Sequence, residues 1–250
     1  MYSLGLDTPA SHRHLHRSLR QIDHLERPGT HGWIAAPPGA SSEIARLETS
    51  FVDAPVSLEQ SLRAATMSAL ESAAHVRHSI QSNVFTLTSL RGMLRTLLMG
   101  AGRLGHVALP TTPQERETHA ANVVGMEARS LERAITDIGK VTNLPGLKWD
   151  PDDVAEFRRK IATVNTARPP GDHSLIRTVA DLIGTEAAAA DDSVDPGALR
   201  DHLTWVWHTS SGTAHGFGWQ SGAGGDFVTD LGAALSAFHF CLEATKRMWQ

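Results

Sequence analysis

Residues 57–81, SLEQSLRAATMSALESAAHVRHSIQ, decide the fold class. Ser57 and Gln60 have the spacing of a capping box, in which the hydroxyl and the amide side chain each satisfy an orphan backbone N–H. From there Leu58, Leu62, Ala65, Ala69, Ala73, Val76 and Ile80 recur every three or four residues, the period of an amphipathic helix. The stripe runs unbroken to about Gln81, and a helix this long with one apolar face needs other helices to cover it. On the opposite face the spacing Glu71-x3-His75-x2-His78 brings three polar side chains together. Carboxylate and imidazole suit Zn, Fe or Mn, so a divalent-metal face is one reading. A solvated polar face is the other and the preferred one.

Working outward toward the C-terminus, Val84 to Leu109 is apolar nearly all round, which predicts a central helix. Arg91 and Arg95 lie one turn apart on it. Buried arginines are costly unless paired, so carboxylate partners are expected on a neighbouring helix; the alternative is that the two bind an anion. Gly100, Gly102 and Gly105 match G-x-G-x-x-G. That fingerprint holds a dinucleotide only between a strand and a helix. Here helical sequence precedes it and Pro110 follows too soon, so no dinucleotide is expected and the glycines read as close helix contacts or a frayed end.

The rest repeats the same pattern. Thr112-Pro113-Gln114-Glu115 starts a helix carrying Val124, Ala128, Leu131, Ile135 and Ile138. Asp150-Pro151 opens one with Val154, Phe157, Ile161 and Val164, and Asp172 one with Leu175, Ile176, Val179, Leu182 and Ile183. Asp195-Pro196 opens a helix with Leu199, Leu203, Val206 and Ser210 on its core side, and Asp226 caps a final one from Phe227 to Trp249. Upstream, Ser11 to Glu26 forms an amphipathic helix capped by Ser11, docked by Leu15, Leu19 and Ile22, with a solvated basic face that includes His12, His16 and Arg20. His12 and His16 share a face there, too few ligands for a strong metal site. Residues 27–42 read as a Pro/Gly-rich linker anchored by Trp33, and Glu43 to Glu48 as one or two helical turns. Strand-type alternation is absent. The expectation is an all-α antiparallel bundle of about seven helices over 51–250, preceded by the N-terminal helix and linker over 1–50.

Composition narrows the function classes. The chain has 250 residues and a net charge of -4, which gives no argument for nucleic acid or an anionic membrane as partner. A single cysteine, Cys241, excludes a disulfide scaffold and a cysteine-based zinc site. A reducing, cytoplasmic setting fits, since no secretion-signal pattern opens the chain and Arg91 and Arg95 interrupt the best membrane-span candidate, Val84 to Met99.

The densest chemistry lies in 205–219, WVWHTSSGTAHGFGW, which holds three of the six tryptophans. At helical spacing Asp201, Thr204, His208, Ser211 and His215 share one face, flanked by Trp205 and Trp207. That stripe predicts a polar pocket, with the glycine-rich loop around Trp219 as its lid. A His beside a Ser suggests base activation of a hydroxyl. Working serine nucleophiles, however, sit at sharp turns with partners from other elements. Helix packing at Ser211-Gly212 and helix termination at His215-Gly216 explain the same residues.

The central helix with Arg91 and Arg95, Pro113-x-x-Arg116, and Trp205…Ser211-Gly-Thr-Ala-His215-Gly together resemble a group of uncharacterised bacterial all-helical proteins, some of them similar to HEPN-type helical domains. The resemblance covers roughly 57–249 and implies a helical fold. It supplies no activity: the one Arg-x4-His match to the HEPN ribonuclease motif, Arg168 to His173, spans Pro-Pro-Gly and cannot lie on one helix.

These observations favour a dimeric helical-bundle binding or interaction protein. Its polar pocket lies near His208, Ser211 and His215, and Arg91, Arg95, Trp205, Trp207 and Trp219 are available to a small molecule or protein partner. The alternative is a hydrolase or nuclease using His215 and Ser211, or a metal-dependent enzyme using Glu71, His75 and His78.

Overall fold

A computed structural model describes residues 4, 6–141, 149–164, 169–217 and 226–250. Helix accounts for 79% of the described residues, and no strand occurs among them. The protein is therefore all-α. Among the described residues ten α-helices form: α1 Pro9–Leu25, α2 Pro28–His31, α3 Glu43–Glu48, α4 Leu58–Gln81, α5 Leu87–Ala108, α6 Pro113–Ile138, α7 Pro151–Thr163, α8 Asp172–Ala190, α9 Pro196–Ala214 and α10 Phe227–Trp249.

Helix starts follow side-chain capping. Ser57 with Gln60, and Thr112 with Glu115, form closed capping boxes at α4 and α6. Asp150, Asp195 and Asp226 accept from first-turn amides of α7, α9 and α10. Two starts differ from the sequence reading. Thr8 caps α1, and Ser11 closes the box from the third helical position. Thr86 caps α5, which leaves Val84 outside the helix and exposed. In each case a threonine forms the box, Thr8 three residues ahead of Ser11 and Thr86 two residues beyond Val84.

The central position of α5 is clear from its packing, which engages α4, α6, α8, α9 and α10. Its glycines make that possible. A Cβ on Gly100 would fall 2.6 Å from Ala69 Cβ of α4, and one on Gly102 would fall 2.8 Å from Ile176 of α8. At Gly105 it would meet Cys241 of α10 at 2.6 Å and Val179 of α8 at 2.7 Å. The G-x-G-x-x-G match is thus three helix–helix contacts at closest approach.

The stretch expected to be linker is more structured than its composition suggested. It contains α2 and a 3-10 turn, Gly32–Ala35, and buries Thr30 and Ile34. Trp33 packs edge-on against Trp249 at 5.3 Å, Trp249 Nε1 donates to the Ala36 carbonyl, and the Gly39 amide donates to the Trp249 carbonyl. Tertiary hydrogen bonds therefore clamp this segment to the end of α10, where no periodicity could announce them. The α1 helix docks through Leu15, Ile22 and Leu25, with His12, His16 and Arg20 exposed.

At the periphery, α7 buries no residue fully. Its apolar stripe is half-covered because α7 packs chiefly on α6. Among the described residues, the helix that by length and composition could cross a membrane is α10, not α5, and most of it is buried inside the fold.

Candidate functional site

On α9 the polar stripe faces outward as its spacing predicts. His208 and His215 are exposed and Ser211 is half-buried, while Leu203, Val206, Trp207, Thr209 and Ser210 point inward. The Ser211 side chain forms no hydrogen bond to either histidine among the described residues, and only the His215 amide reaches the Ser211 carbonyl, at 3.1 Å. His208 instead packs against His173 of α8, ring centroids 4.7 Å apart, and burial, with that neighbour second, lowers its pKa. His215 is the C-cap of α9, one residue past Ala214. The Gly216 amide donates to the Thr213 carbonyl and the Phe217 amide to the Gly212 carbonyl, a Schellman termination requiring left-handed backbone at Gly216, whose φ is +72°. Trp205 is partly exposed and Trp219 lies outside the described residues, as does Arg168. On α4, Glu71, His75 and His78 are all exposed. Among the described residues no group of three or more His, Cys, Asp or Glu side chains is disposed to hold a metal.

Arg91 and Arg95 part company. Arg91 is buried, pairs with Asp230 of α10 through Nη1 and donates to Thr209 Oγ1 of α9 at 3.3 Å. The other oxygen of Asp230 meets His202 Nε2 at 3.1 Å. Arg95, one turn along, lies over the Trp207 ring at 5.1 Å and reaches Asp172 at 3.4 Å. Its Nε is buried with no hydrogen-bond partner among the described residues, a donor that native structures rarely leave unmatched.

Beyond Arg95 a cavity of about 460 Å³ opens between α4, α5, α6 and the approach to α8. Its construction follows from helical spacing. Arg95, Met99 and Arg103 come from successive turns of α5, and Met126, Arg129, Ser130 and Arg133 from one face of α6. Opposite them α4 presents only Ala64, Ala65 and Ser68, and Gly100 adds no side chain. Small residues on one wall leave room, and long cationic ones on the other fill its rim.

The charge there is unbalanced. Four arginines line the cavity against one carboxylate, Asp172. Outside the lining, Arg103 pairs with Glu127 at 2.5 Å. Arg129 and Arg133 form no ion pair or hydrogen bond among the described residues. Pro169, Pro170 and Gly171 edge the opening, and α8 starts there without a side-chain cap, so its unsatisfied amides add positive potential. Concave low-dielectric walls of one sign concentrate the field and draw counter-ions.

The sequence reading identified Arg95 and missed Arg103, Arg129 and Arg133. A signal was present in Met126, Arg129, Ser130 and Arg133, a shared helical face beside the apolar stripe of α6. The chain matches no family model, no curated protein and no solved structure.

Proposed function

We propose that this chain is a helical-bundle binding protein whose ligand is a small, multiply charged anion of the phosphate-ester class. The reading rests on one observation, the convergence of Arg95, Arg103, Arg129 and Arg133 on a single cavity with one carboxylate in its lining. Guanidinium groups match phosphate and carboxylate oxygens in paired, planar hydrogen bonds. A volume of about 460 Å³ suits a small molecule and is too small for a macromolecular surface. Of the polar stripe, His208 packs against His173, the residue that follows Asp172 of the cavity lining. Binding is preferred to hydrolysis because no hydroxyl–imidazole pair supports a nucleophile there.

Inorganic pyrophosphate is the probe. Isothermal calorimetry with the full chain should give one site whose affinity falls as salt rises, and the double variant Arg129→Gln, Arg133→Gln should lose it while melting as the wild type does. Absence of binding to pyrophosphate, or binding unaffected by the double substitution, overturns the reading.

A further inference from the structure

A second cavity, sharing no lining residue with the first, lies between α1, α8, α9 and α10 and encloses about 480 Å³. Its chemistry is different. Ile183, Leu199, Leu203, Val228 and Phe240 make an apolar floor, and no carboxylate lines it. Gly232, Ala233 and Ala237 keep the α10 side shallow; a Cβ added at Gly232 would find only Ser18 Oγ, at 3.7 Å.

The remaining wall is one face of α1, with His14, Arg17, Ser18 and Gln21 at helical spacing. None of these four side chains forms a hydrogen bond or ion pair among the described residues. Ser18 is 3% exposed and lines the cavity, so the little surface it keeps faces that space. His202 completes the polar set. Its Nε2 is engaged by Asp230, which Arg91 neutralises from inside the core, and its Nδ1 forms no hydrogen bond among the described residues. A buried ion pair thus holds this imidazole in a fixed orientation at the cavity wall.

We propose that this second cavity binds a small amphipathic anion, an apolar body bearing a single carboxylate-type head. The body lies on the Ile183–Leu203–Phe240 floor and the head turns toward the α1 face, where Arg17 supplies permanent charge and Ser18 and Gln21 supply donors. Binding sites for such molecules combine a mainly apolar lining with a few placed polar groups at this volume. The same chemistry excludes the ligand class of the arginine cavity, since a multiply charged anion would lose water against the apolar floor without compensation.

Decanoate, 1-decanol and decyltrimethylammonium are the probes, titrated into the full chain and followed by calorimetry and by backbone amide NMR shifts. Decanoate should bind one to one, about tenfold more tightly than decanol, and the cation should not bind. Arg17→Gln, on an exposed position of α1, should erase the preference for decanoate over decanol. Gly232→Leu, which fills the cavity from its open side, should abolish both; Ser236→Phe at the exposed rim repeats that test should Gly232→Leu unfold. Arg133→Gln should change nothing, which separates this site from the arginine cavity. Equal binding of decanoate and decanol, indifference to Arg17→Gln, or loss on Arg133→Gln each overturns the proposal.

Discussion

Arg91 and Arg95 occupy successive turns of one helix, and their surroundings are opposite. Around Arg91 two helices close in: α10 brings Asp230, and α9 brings Thr209 and also His202, which holds the far oxygen of the carboxylate. Around Arg95 the partner carboxylate is half-exposed and 3.4 Å away, the guanidinium rests on Trp207, and three further arginines face the same space. Spacing alone makes the two residues equivalent. The neighbours make the first a structural cross-brace and the second the wall of a site. Another basic side chain on α5, His106, meets burial in another way. It is 3% exposed and stacked on His119 at 3.8 Å, and burial, with His119 second, pushes its pKa from 6.5 down to about 3. It stays in the fold by being neutral.

The sharpest way to break this contrast is to remove the partner carboxylates separately. Asp230→Ala leaves Arg91 charged and buried, and should cost about 3–5 kcal/mol in urea unfolding. Asp172→Ala at the exposed partner of Arg95 should cost about 1 kcal/mol or less. Equal losses would show that the two environments do not differ.

A smaller effect tests the frame that holds both arginines. Gly100→Ala places a methyl against Ala69 Cβ and the Ala65 carbonyl, neither of which can swing aside, so a loss of about 1–3 kcal/mol is expected from the same unfolding measurement.

His106 sharpens the comparison through pH. When unfolded it binds a proton below about 6.5, and when folded only below about 3. Between those values the unfolded state holds more protons, so stability falls as pH falls, by roughly 1 kcal/mol per unit. Melting curves of His106→Gln from pH 7 to 4 should show a shallower decline than the wild type; an unchanged slope would place the acid sensitivity elsewhere.

Smallest of all is the stability effect at the arginine cavity. Arg129→Gln should shift unfolding by no more than about 0.5 kcal/mol. A loss as large as that at Asp230 would make Arg129 a brace like Arg91.

What the sequence made legible is whatever closes within a turn or two of helix. Ser57 with Gln60, Thr112 with Glu115, and the stripes of α4 and α10 are local matters, and the Gly216 terminus follows from one backbone angle. The expectation that the α5 arginines meet carboxylates rested on energetics and needed no geometry. The arginine cavity was beyond such reasoning because its walls lie on helices far apart in the chain, and Arg129 and Arg133 sit on the shoulder of a stripe, where the default reading is solvation. The shallow burial of α7 was hidden for a related cause, since a periodic face says that something covers it and not how much.

The three glycine contacts of α5 carry one more implication. Because Gly100, Gly102 and Gly105 press on α4, α8 and α10 from different directions, sliding any of these along α5 drives another into collision. Those four rods therefore share one axial register and behave as a rigid chassis. Each cavity has walls on that chassis and a peripheral wall on a helix the glycines leave unpinned, α6 for the first and α1 for the second; α9, the remaining wall of the second, is held to the chassis by the Thr209–Arg91 and His202–Asp230 contacts. Tightening around a guest is left to these two outriggers, which can shift without disturbing the interior.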